Sequence, residues 1–301
     1  MDLSRFGSAP PWSLGVEEEL MLVDAQTLEP ARYGFSRAFG EATERIKPEL
    51  FESFVEITTS VLETAEEIEA ELGALRREVA ERAAEHGLAV LATGSHPTAR
   101  GGVPIVPVER YERMREQLGP QLDRQLVCGL HVHVAVPDPD TCLRAFEGVV
   151  PRLPELLAAS ANSPYWDGAA SGWRSIRSQI LLEMPTGGTP PVLRSWDDWQ
   201  AASRSDSTRR HWDVWPRPEY GTLEVRIMDQ PTSLRRTAEL AADVQRLVRE
   251  AADFGGEPFD RAEYDATRDR AGREGGGPEA ERQLELGPEA AVREIAALTL
   301  G

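Results

Sequence analysis

The sequence is short of lysine, of cysteine and of long apolar runs, and each shortage excludes a class of protein. Lys47 is the only lysine among 301 residues and follows Ile46 rather than a glycine, so the chain cannot contain a Walker A loop. A G-x-G-x-x-G motif after a strand is missing too, which excludes the usual dinucleotide fingerprint. Cys128 and Cys142 provide neither a disulfide framework nor a C-x-x-C site. No run approaches about 18 apolar residues and the first residues lack an apolar leader core, so we expect a cytoplasmic protein.

The charge of the chain is strongly negative. Its 33 basic and 51 acidic residues give a formal net charge of −18, which repels nucleic acids and anionic membranes. The simplest consequence of this charge is solubility, and the 41% hydrophobic content is sufficient for a sizeable core. We therefore expect small-molecule substrates and no nucleic-acid or membrane partner, while homo-oligomer formation stays open. Without a glycine-rich phosphate loop, any nucleotide has to be held by metal ions and arginines.

Hydrophobic alternation predicts several strands with one apolar face and one ionisable face. In residues 13–23, one face carries apolar side chains together with Glu18, and the other carries Glu17 and Glu19. Further strands are predicted at residues 51–61, 88–93, 128–136, 211–217 and 222–229, the last two as a hairpin. Helices are predicted at residues 64–86, 109–126, a stretch kinked near 151–154 that ends at 160, 232–252 and 288–300. Because helices and strands do not alternate regularly, we expect an α+β fold with a mostly antiparallel sheet.

The ionisable faces of these strands supply candidate metal ligands. Glu17 and Glu19 stand about 6.6 Å apart along one strand, and carboxylates at that spacing can serve two metal ions roughly 3.5–4 Å apart. The second strand adds Glu56, and a later strand presents His131 and His133, an H-x-H pair common in metal sites. Each residue alone has an ordinary alternative, namely a solvent-facing carboxylate or a histidine pair satisfied by hydrogen bonds.

The last predicted strand completes the set with Glu224 and Arg226, which alone could be no more than an ion pair. If the four strands are neighbours, they form a basin of oxygen ligands, which suits Mg²⁺ or Mn²⁺ better than structural Zn²⁺. Because Mg²⁺ is seldom held by protein ligands alone, such a basin implies phosphates. In the loop at residues 162–178, Arg174 and Arg177 could clamp those phosphates. The loop is expected to close over the substrate, with a rigid aromatic-packed loop as the alternative.

Six stretches of the sequence resemble the carboxylate–amine ligases of the glutamate–cysteine ligase type 2 family. They are SLGVEEELMLVD (13–24), ESFVEITT (52–59), ATGSHP (92–97), CGLHVHVAVPD (128–138), SANSPYWDG (160–168) and WDVWPRPEYGTLEVRIMD (212–229). They occur in family order, and CGLHVHV together with GT-x-EVR is the specific part.

The resemblance implies a fold like that of glutamine synthetase catalytic domains, a curved antiparallel sheet flanked by helices. It also implies a reaction, in which ATP phosphorylates the γ-carboxylate of glutamate and an amine, typically that of cysteine, attacks the acyl phosphate. The metal ligands implied by position are Glu17, Glu19, Glu49, Glu56, His131 and Glu224. We assign Arg226 and Glu224 to catalysis, and His133, Arg174 and Arg177 to nucleotide binding.

The chain departs from the family pattern at Trp215, where an arginine is usual, in a degenerate segment at 267–271, and in a short C-terminal region. We expect a ligase domain at residues 1–254 and a shortened, partly flexible segment at 255–301 that packs on the same domain.

The predicted function is an ATP- and Mg²⁺-dependent carboxylate–amine ligase of the glutamate–cysteine ligase type, with Mn²⁺ as an alternative metal. Two alternatives stay open: the same chemistry on another acid or amine, and a metal- or nucleotide-binding homologue without turnover. A Zn²⁺ hydrolase built on His131 and His133 is disfavoured, because no H-E-x-x-H motif and no third histidine at ligand spacing accompany the pair.

Overall fold

The computed structural model of the chain describes residues 1–184, 187–204, 211–255 and 259–300. Its strands are β1 (Leu14–Asp24), β2 (Ile46–Pro48), β3 (Phe54–Thr58), β4 (Leu88–Leu91), β5 (Gly129–Ala135), β6 (Tyr165–Trp166), β7 (Ala169–Ala170), β8 (Gly187–Gly188), β9 (His211–Trp212), β10 (Val214–Arg217) and β11 (Thr222–Asp229). Its α-helices are α1 (Gly34–Ala38), α2 (Ala65–Ala84), α3 (Glu109–Leu118), α4 (Pro120–Asp123), α5 (Pro139–Val149), α6 (Leu153–Ser160), α7 (Arg177–Ile180), α8 (Trp196–Arg204), α9 (Leu234–Phe254), α10 (Arg261–Glu274), α11 (Pro278–Leu286) and α12 (Pro288–Leu298). Short 3₁₀ segments follow α5 at Val150–Arg152 and α7 at Leu181–Glu183.

One antiparallel sheet organises the chain. It runs in the order β10-β11-β5-β1-β3-β2, and β4 pairs with the C-terminal part of β1. The remaining described strands form two small pairs, β6 with β7 and β8 with β9. This architecture confirms the predicted α+β class with a mostly antiparallel sheet.

Helices α2, α5, α6 and α9 cover one face of this sheet. The apolar residues of β1 on that face, including Leu14, Val16 and Leu20, are at most 1% exposed. Each such side chain contributes about 1.5–3 kcal/mol when it is fully buried. Because side chains alternate along a strand, burial of this face fixes the register and turns Glu17 and Glu19 to the opposite face.

Glu18 is the exception on the buried face, as the alternation predicts, and its partner is Arg76 of α2. The two side chains are completely buried and bind through two hydrogen bonds of 2.6 and 2.7 Å. Gln230 and Thr237 also donate to Glu18, and Arg76 donates to the backbone oxygen of Thr299. The ion pair therefore has its hydrogen-bonding capacity satisfied and links the last helix to the centre of the sheet.

Several predicted boundaries need correction. The helix predicted at 109–126 is broken at Gly119, whose φ of +54° is open to glycine at little cost. The helix predicted from residue 232 begins after Ser233, which caps α9, and the hydroxyl of Thr232 donates to the backbone oxygen of Ala92. Helix α8 was not predicted, and α10 and α11 lie where the sequence pattern weakens.

The C-terminal helices lie against the rest of the chain through buried polar contacts. Arg268 of α10 donates two hydrogen bonds to Asp213, and Tyr264 donates a third. Gln283 of α11 donates to the side chain of Asn162 at 2.7 Å. The degenerate 267–271 segment thus supplies a buried structural arginine. Across the described residues, no helix combines the length and the apolar character needed to cross a membrane.

Candidate active site

The open face of the sheet brings the predicted ligands together by strand register. Glu17 is paired with His131 across β1 and β5, and Glu19 is paired with Glu56 across β1 and β3. His133 is paired with Glu224 across β5 and β11. Directly paired residues of an antiparallel sheet have neighbouring side chains on the same face. The four strands therefore form the basin that the sequence predicts.

One group of ligand atoms consists of Glu17, His133 and Glu224, here called the His133 cluster. One atom from each residue lies within 4.8 Å of the other two. His133 Nε2 is 3.6 Å from Glu17 and 3.5 Å from Glu224, while its Nδ1 is 2.9 Å from the Thr222 hydroxyl. The histidine was assigned to the nucleotide from sequence, yet the geometry places it among the candidate metal ligands.

The charges in the His133 cluster reinforce one another. Burial opposes ionisation of Glu17, but hydrogen bonds from His131 and His133 outweigh it and hold the pKa of Glu17 well below its usual range. Burial also opposes the charge on Glu224, where Arg226 and His133 keep the pKa well below normal. Burial disfavours the imidazolium of His133, yet the two carboxylates raise its pKa to about 9. Both carboxylates are therefore ionised at neutral pH, which is the state a metal ligand requires, whereas His133 is protonated and would have to lose its proton to bind a metal ion.

A second group consists of Glu19, Glu49 and Glu56, here called the Glu49 cluster. Its three ligand atoms also lie within 4.8 Å of one another, and Glu49 is 5% exposed. Glu19 accepts a hydrogen bond of 2.6 Å from the backbone nitrogen of Gly129, which fixes its position. Lys47 lies 3.6 Å from Glu56. Three carboxylates this close repel one another unless cations lie between them.

His131 lies between the two clusters. Its Nδ1 is 3.4 Å from Glu17, and its Nε2 is 3.9 Å from Glu19. The imidazole belongs to neither three-ligand group but contacts one carboxylate from each. It therefore connects the clusters, which is compatible with the predicted role as a ligand.

A cavity of about 370 Å³ opens over both clusters and is called the basin below. Its lining residues are Glu17, Lys47, Pro48, Glu49, Glu56, Arg110, His131, Trp215, Arg217, Glu219, Tyr220, Glu224 and Arg226. Arg226 and Arg217 both donate to Glu224, the latter at 2.7 Å. Sequence reasoning found Arg226 but missed Arg217, which lies on the neighbouring strand two residues after Trp215. Four cationic side chains therefore face the carboxylates across one cavity.

Trp215 lies opposite Glu224 in the β10–β11 register and belongs to an aromatic group. Its ring is 4.4 Å from that of Trp212 and is stacked on Trp199 at 5.8 Å. The indole is 2% exposed. Where the family usually has an arginine, this chain therefore has an apolar wall beside Glu224.

A narrower cavity, called the inner pocket below, adjoins the basin and shares Glu49, His131 and Arg226 with it. Its other lining residues are Glu19, Leu50, Phe54, Gln125, Val127, Arg177, Leu181, Met184 and His211. Its volume is about 50 Å³. Arg177 thus lies beside the ligand clusters, as predicted, although in the smaller cavity.

Arg174 does not share this position and lines neither cavity, so its phosphate role has no geometric support. The loop at 162–178 contributes Arg177 alone to the two linings. Asp229 fixes both ends of the loop, because its carboxylate accepts hydrogen bonds from Ser163 at 2.6 Å and Ser175 at 2.8 Å. These contacts favour the rigid alternative over a closing lid.

The sequence is similar to that of a known protein family. The sequence profile of the glutamate–cysteine ligase family 2 (GCS2) matches residues 13–285. A Rubrobacter xylanophilus protein, provisionally named glutamate–cysteine ligase 2-3, is 35% identical over 285 residues, which are 90% of this chain and 78% of the relative. A Roseiflexus castenholzii protein, provisionally named glutamate–cysteine ligase 2, is 35% identical over 250 residues, or 79% of this chain and 66% of the relative. The chain thus spans about two thirds of the length of several such relatives.

Solved structures of similar fold are also ligases. The glutamate–cysteine ligase of Francisella tularensis, solved in complex with AMP, matches 99% of this chain and 80% of its own length with a TM-score of 0.63 and 13% identity. A bifunctional glutathione synthetase from Pasteurella multocida matches 96% of this chain and 49% of its own length, with a TM-score of 0.60 and 17% identity. The fold is therefore shared, and the predicted family is confirmed. This chain belongs to the glutamate–cysteine ligase family 2.

Proposed function

We propose that this family member uses ATP and a divalent metal to join a carboxylic acid to an amine, with glutamate as the acid and cysteine as the first amine to test. The observation that carries the proposal is the pair of ligand clusters beneath one basin lined by arginines. The names of the relatives support the choice of glutamate and cysteine, and the AMP complex of the Francisella enzyme supports ATP.

The residues present fit divalent metal ions. The two clusters supply five carboxylates and one histidine, a predominantly hard-oxygen set that suits Mg²⁺ or Mn²⁺. Glu19, Glu49 and Glu56 would hold one ion, and Glu17, His133 and Glu224 the other. When bound, such ions would neutralise phosphate charge and align the reacting groups. Bound cations would also offset the repulsion between carboxylates packed this closely.

The side chains of this protein would then bind and orient the substrates. Arg217 and Arg226 carry permanent charges on the side of the basin next to Glu224 and can hold phosphate oxygens through paired hydrogen bonds. Glu224 fixes both guanidinium groups, since it accepts from each. Holding phosphates and acceptor in line accounts for most of the catalysis that phosphoryl transfer requires.

The proposed reaction has two steps. A carboxylate oxygen of the acid takes the γ-phosphoryl group of ATP and ADP leaves; the amine nitrogen then attacks the carbonyl carbon, loses a proton and expels inorganic phosphate. No side chain of the protein forms a covalent bond in this scheme. Cys128 supports this reading, since it is fully buried and burial raises the pKa of its thiol well above the usual value.

The test is ADP release with L-glutamate and Mg²⁺, measured with and without a panel of amines that includes L-cysteine. Amine-dependent ADP release that EDTA abolishes would support the ligase, and the preferred amine would identify the acceptor. Calorimetry of ATP binding in Mg²⁺ and in EDTA provides the matching binding measurement. Metal-dependent binding without ADP release for any acid and amine would instead identify a homologue that binds nucleotide without turnover. Equal affinity in Mg²⁺ and EDTA would refute the metal clusters.

A further inference from the structure

A cavity that is separate from the basin and the inner pocket lies among the helices. It is bounded by α2, the first turn of α9, α11 and α12, has a volume of about 520 Å³, and is called the helical pocket below. It shares no lining residue with the basin or the inner pocket. Small-molecule sites usually have volumes of about 300–1,000 Å³, so the helical pocket is large enough for a ligand of its own.

The walls of the helical pocket are apolar. Leu234 of α9, Leu286 of α11, and Ile295 and Leu298 of α12 line it. Ile295 is 3% exposed and Leu298 is 52% exposed, so the apolar wall continues from the core to the surface. Full burial of a leucine contributes about 1.5–3 kcal/mol, and a ligand that covers the exposed part would gain a share of it. The walls therefore favour a ligand with an apolar body.

The buried end of the helical pocket contains an acceptor without a partner. Gln283 lines the pocket and is 4% exposed. Its Nε2 donates to the Oδ1 of Asn162 at 2.7 Å, which fixes the orientation of the amide. Its Oε1 is buried and has no hydrogen-bond partner among the described residues. Because a buried acceptor without a partner costs about 1–3 kcal/mol, a ligand that donates a hydrogen bond here is favoured.

A carboxylate lies on the same helix face as this acceptor. Glu279 and Gln283 are four residues apart on α11, so their side chains are neighbours. The backbone nitrogen of Ser233 donates to Glu279 at 2.9 Å, which holds the carboxylate at the first turn of α9. Burial raises the pKa of Glu279, and the charges of Arg76 and Arg236 offset only part of this effect. A cation bound in the pocket would stabilise the ionised carboxylate.

The other charged residues of the lining leave the helical pocket negative. Arg282 binds Glu294 at 2.8 Å, and Arg235 binds Glu239 at 3.1 Å, so both arginines of the lining are neutralised. A further carboxylate of the lining, that of Glu69 on α2, forms no ion pair within the described part of the chain. The pocket should therefore attract a cationic ligand and repel an anionic one.

From these features we propose that the helical pocket binds an amphipathic primary amine, a small molecule with an apolar body and one ammonium group. The ammonium would donate to Gln283 Oε1 and pair with Glu279. The apolar body would lie against Leu234, Ile295 and Leu298. Because the pocket shares no lining residue with the basin, this inference does not depend on the proposed ligase function.

The test is calorimetric titration of the full chain with 2-phenylethylamine, 2-phenylethanol and phenylacetate, which have similar bodies and different head groups. The amine should bind about ten-fold more tightly than the alcohol, because its hydrogen bonds are charge-assisted. The anionic phenylacetate should bind most weakly. The titrations are repeated with saturating Mg²⁺ and a non-hydrolysable ATP analogue, and the affinity for the amine should not change, since the basin is a separate cavity.

Three variants test the assigned contacts. Glu279→Gln should remove the preference for the amine and leave the affinity for the alcohol unchanged, since glutamine can still accept from Ser233. Glu281→Gln is the matched control, because Glu281 lies in the same first turn of α11, is exposed and does not line the pocket. Leu298→Arg adds a cation and a longer side chain at the half-exposed wall, and should abolish binding of the amine.

Retained binding of the alcohol shows that Glu279→Gln is folded. If that variant unfolds in thermal melts, Glu69→Gln on the surface of α2 replaces it and should also weaken binding of the amine. Equal affinity of the wild type for the amine and the alcohol would overturn the proposal, as would unchanged binding of the amine in Leu298→Arg. Competition between the amine and the ATP analogue would place the amine in the basin and overturn it too. None of these measurements uses turnover, so absence of ligase activity would not alter them.

Discussion

Replacement of Glu224 by glutamine separates a metal-binding role from a purely structural one. The side chain is 1% exposed, and within the described part of the chain no other carboxylate contacts His133, Arg217 and Arg226 together. Glutamine retains the shape and removes the charge. If Glu224 is a metal ligand, the loss of several kcal/mol of charge stabilisation should lower kcat by about 10²-fold or more.

The same substitution also has a cost in stability. Removing one partner of a buried ion pair typically costs about 3–5 kcal/mol. Arg226 and Arg217 are 14% and 28% exposed, so solvent reduces this cost, and we expect a loss of about 1–3 kcal/mol. The variant should remain folded at 25 °C with a lower melting temperature. Its kinetics are therefore measured well below that temperature.

Glu219→Gln is the matched control. Glu219 also binds Arg217, at 2.8 Å, and lines the same basin, but it is 51% exposed and belongs to neither ligand cluster. Steady-state ADP release and thermal melts are compared for the wild type and both variants. A wild-type kcat in Glu224→Gln would show that β11 does not belong to the active site. An equal fall in kcat for Glu219→Gln would show that general charge in the basin matters, and not metal ligation.

Three further outcomes are expected. Burial lowers the pKa of His96 to about 4, whereas the same imidazole in the unfolded chain is protonated below about pH 6.5. The free energy of unfolding should therefore be unaffected by His96 above about pH 6.5 and should fall by about 3 kcal/mol between pH 6.5 and 4. Urea melts of His96→Asn should lack this part of the pH dependence, and melts of the exposed control His86→Asn should keep it. Gly129→Ala should displace Arg177, because the added Cβ would overlap its guanidinium; overpacking of this kind costs about 1–3 kcal/mol, and an unchanged melting temperature would refute the packing argument. Mg²⁺ should raise the melting temperature of the wild type more than that of Glu56→Gln, and equal shifts would exclude the Glu49 cluster as a metal site.

The ligands on strands could be predicted because a strand has a period of two. Once Leu14, Val16 and Leu20 are assigned to the core, Glu17 and Glu19 have to lie on the other face. The same logic found the histidines of β5 and the carboxylate of β11. Glu17, His131 and Glu224 line the basin, Glu19 lines the inner pocket, and His133 contacts Glu17 and Glu224. The alternation could not show which of the two histidines is a metal ligand, since both lie on the same face and their distances from each carboxylate depend on the curvature of the sheet.

The residues of the site that lie outside regular strands could not be predicted from strand alternation. Glu49 follows β2 without any alternation that fixes its direction, and Gln125 precedes β5 in an irregular segment. Arg217 lies on β10, whose pairing with β11 was predicted correctly, but the comparison with the family pattern singled out Trp215 on that strand and not Arg217. Arg76 lies on the buried face of α2, where helical periodicity predicts apolar residues, and only the structure shows that it neutralises Glu18.

The position of Arg177 shows why such residues need the three-dimensional structure. In a regular β11 the carbonyl groups of Arg226 and Ile227 would point to opposite edges of the strand and could not both accept hydrogen bonds from one guanidinium. A β-bulge between Val225 and Met228 lets both carbonyl oxygens accept hydrogen bonds from Arg177, and the missing side chain of Gly129 gives the guanidinium room. Neither feature has a sequence signal by itself, because glycine in a strand has several causes and a bulge leaves the alternation of Leu223 and Val225 intact. The open face of the sheet thus depends on two features of the sequence: the strand period sets which carboxylates lie on this face, and local departures from that period set where Arg177 lies.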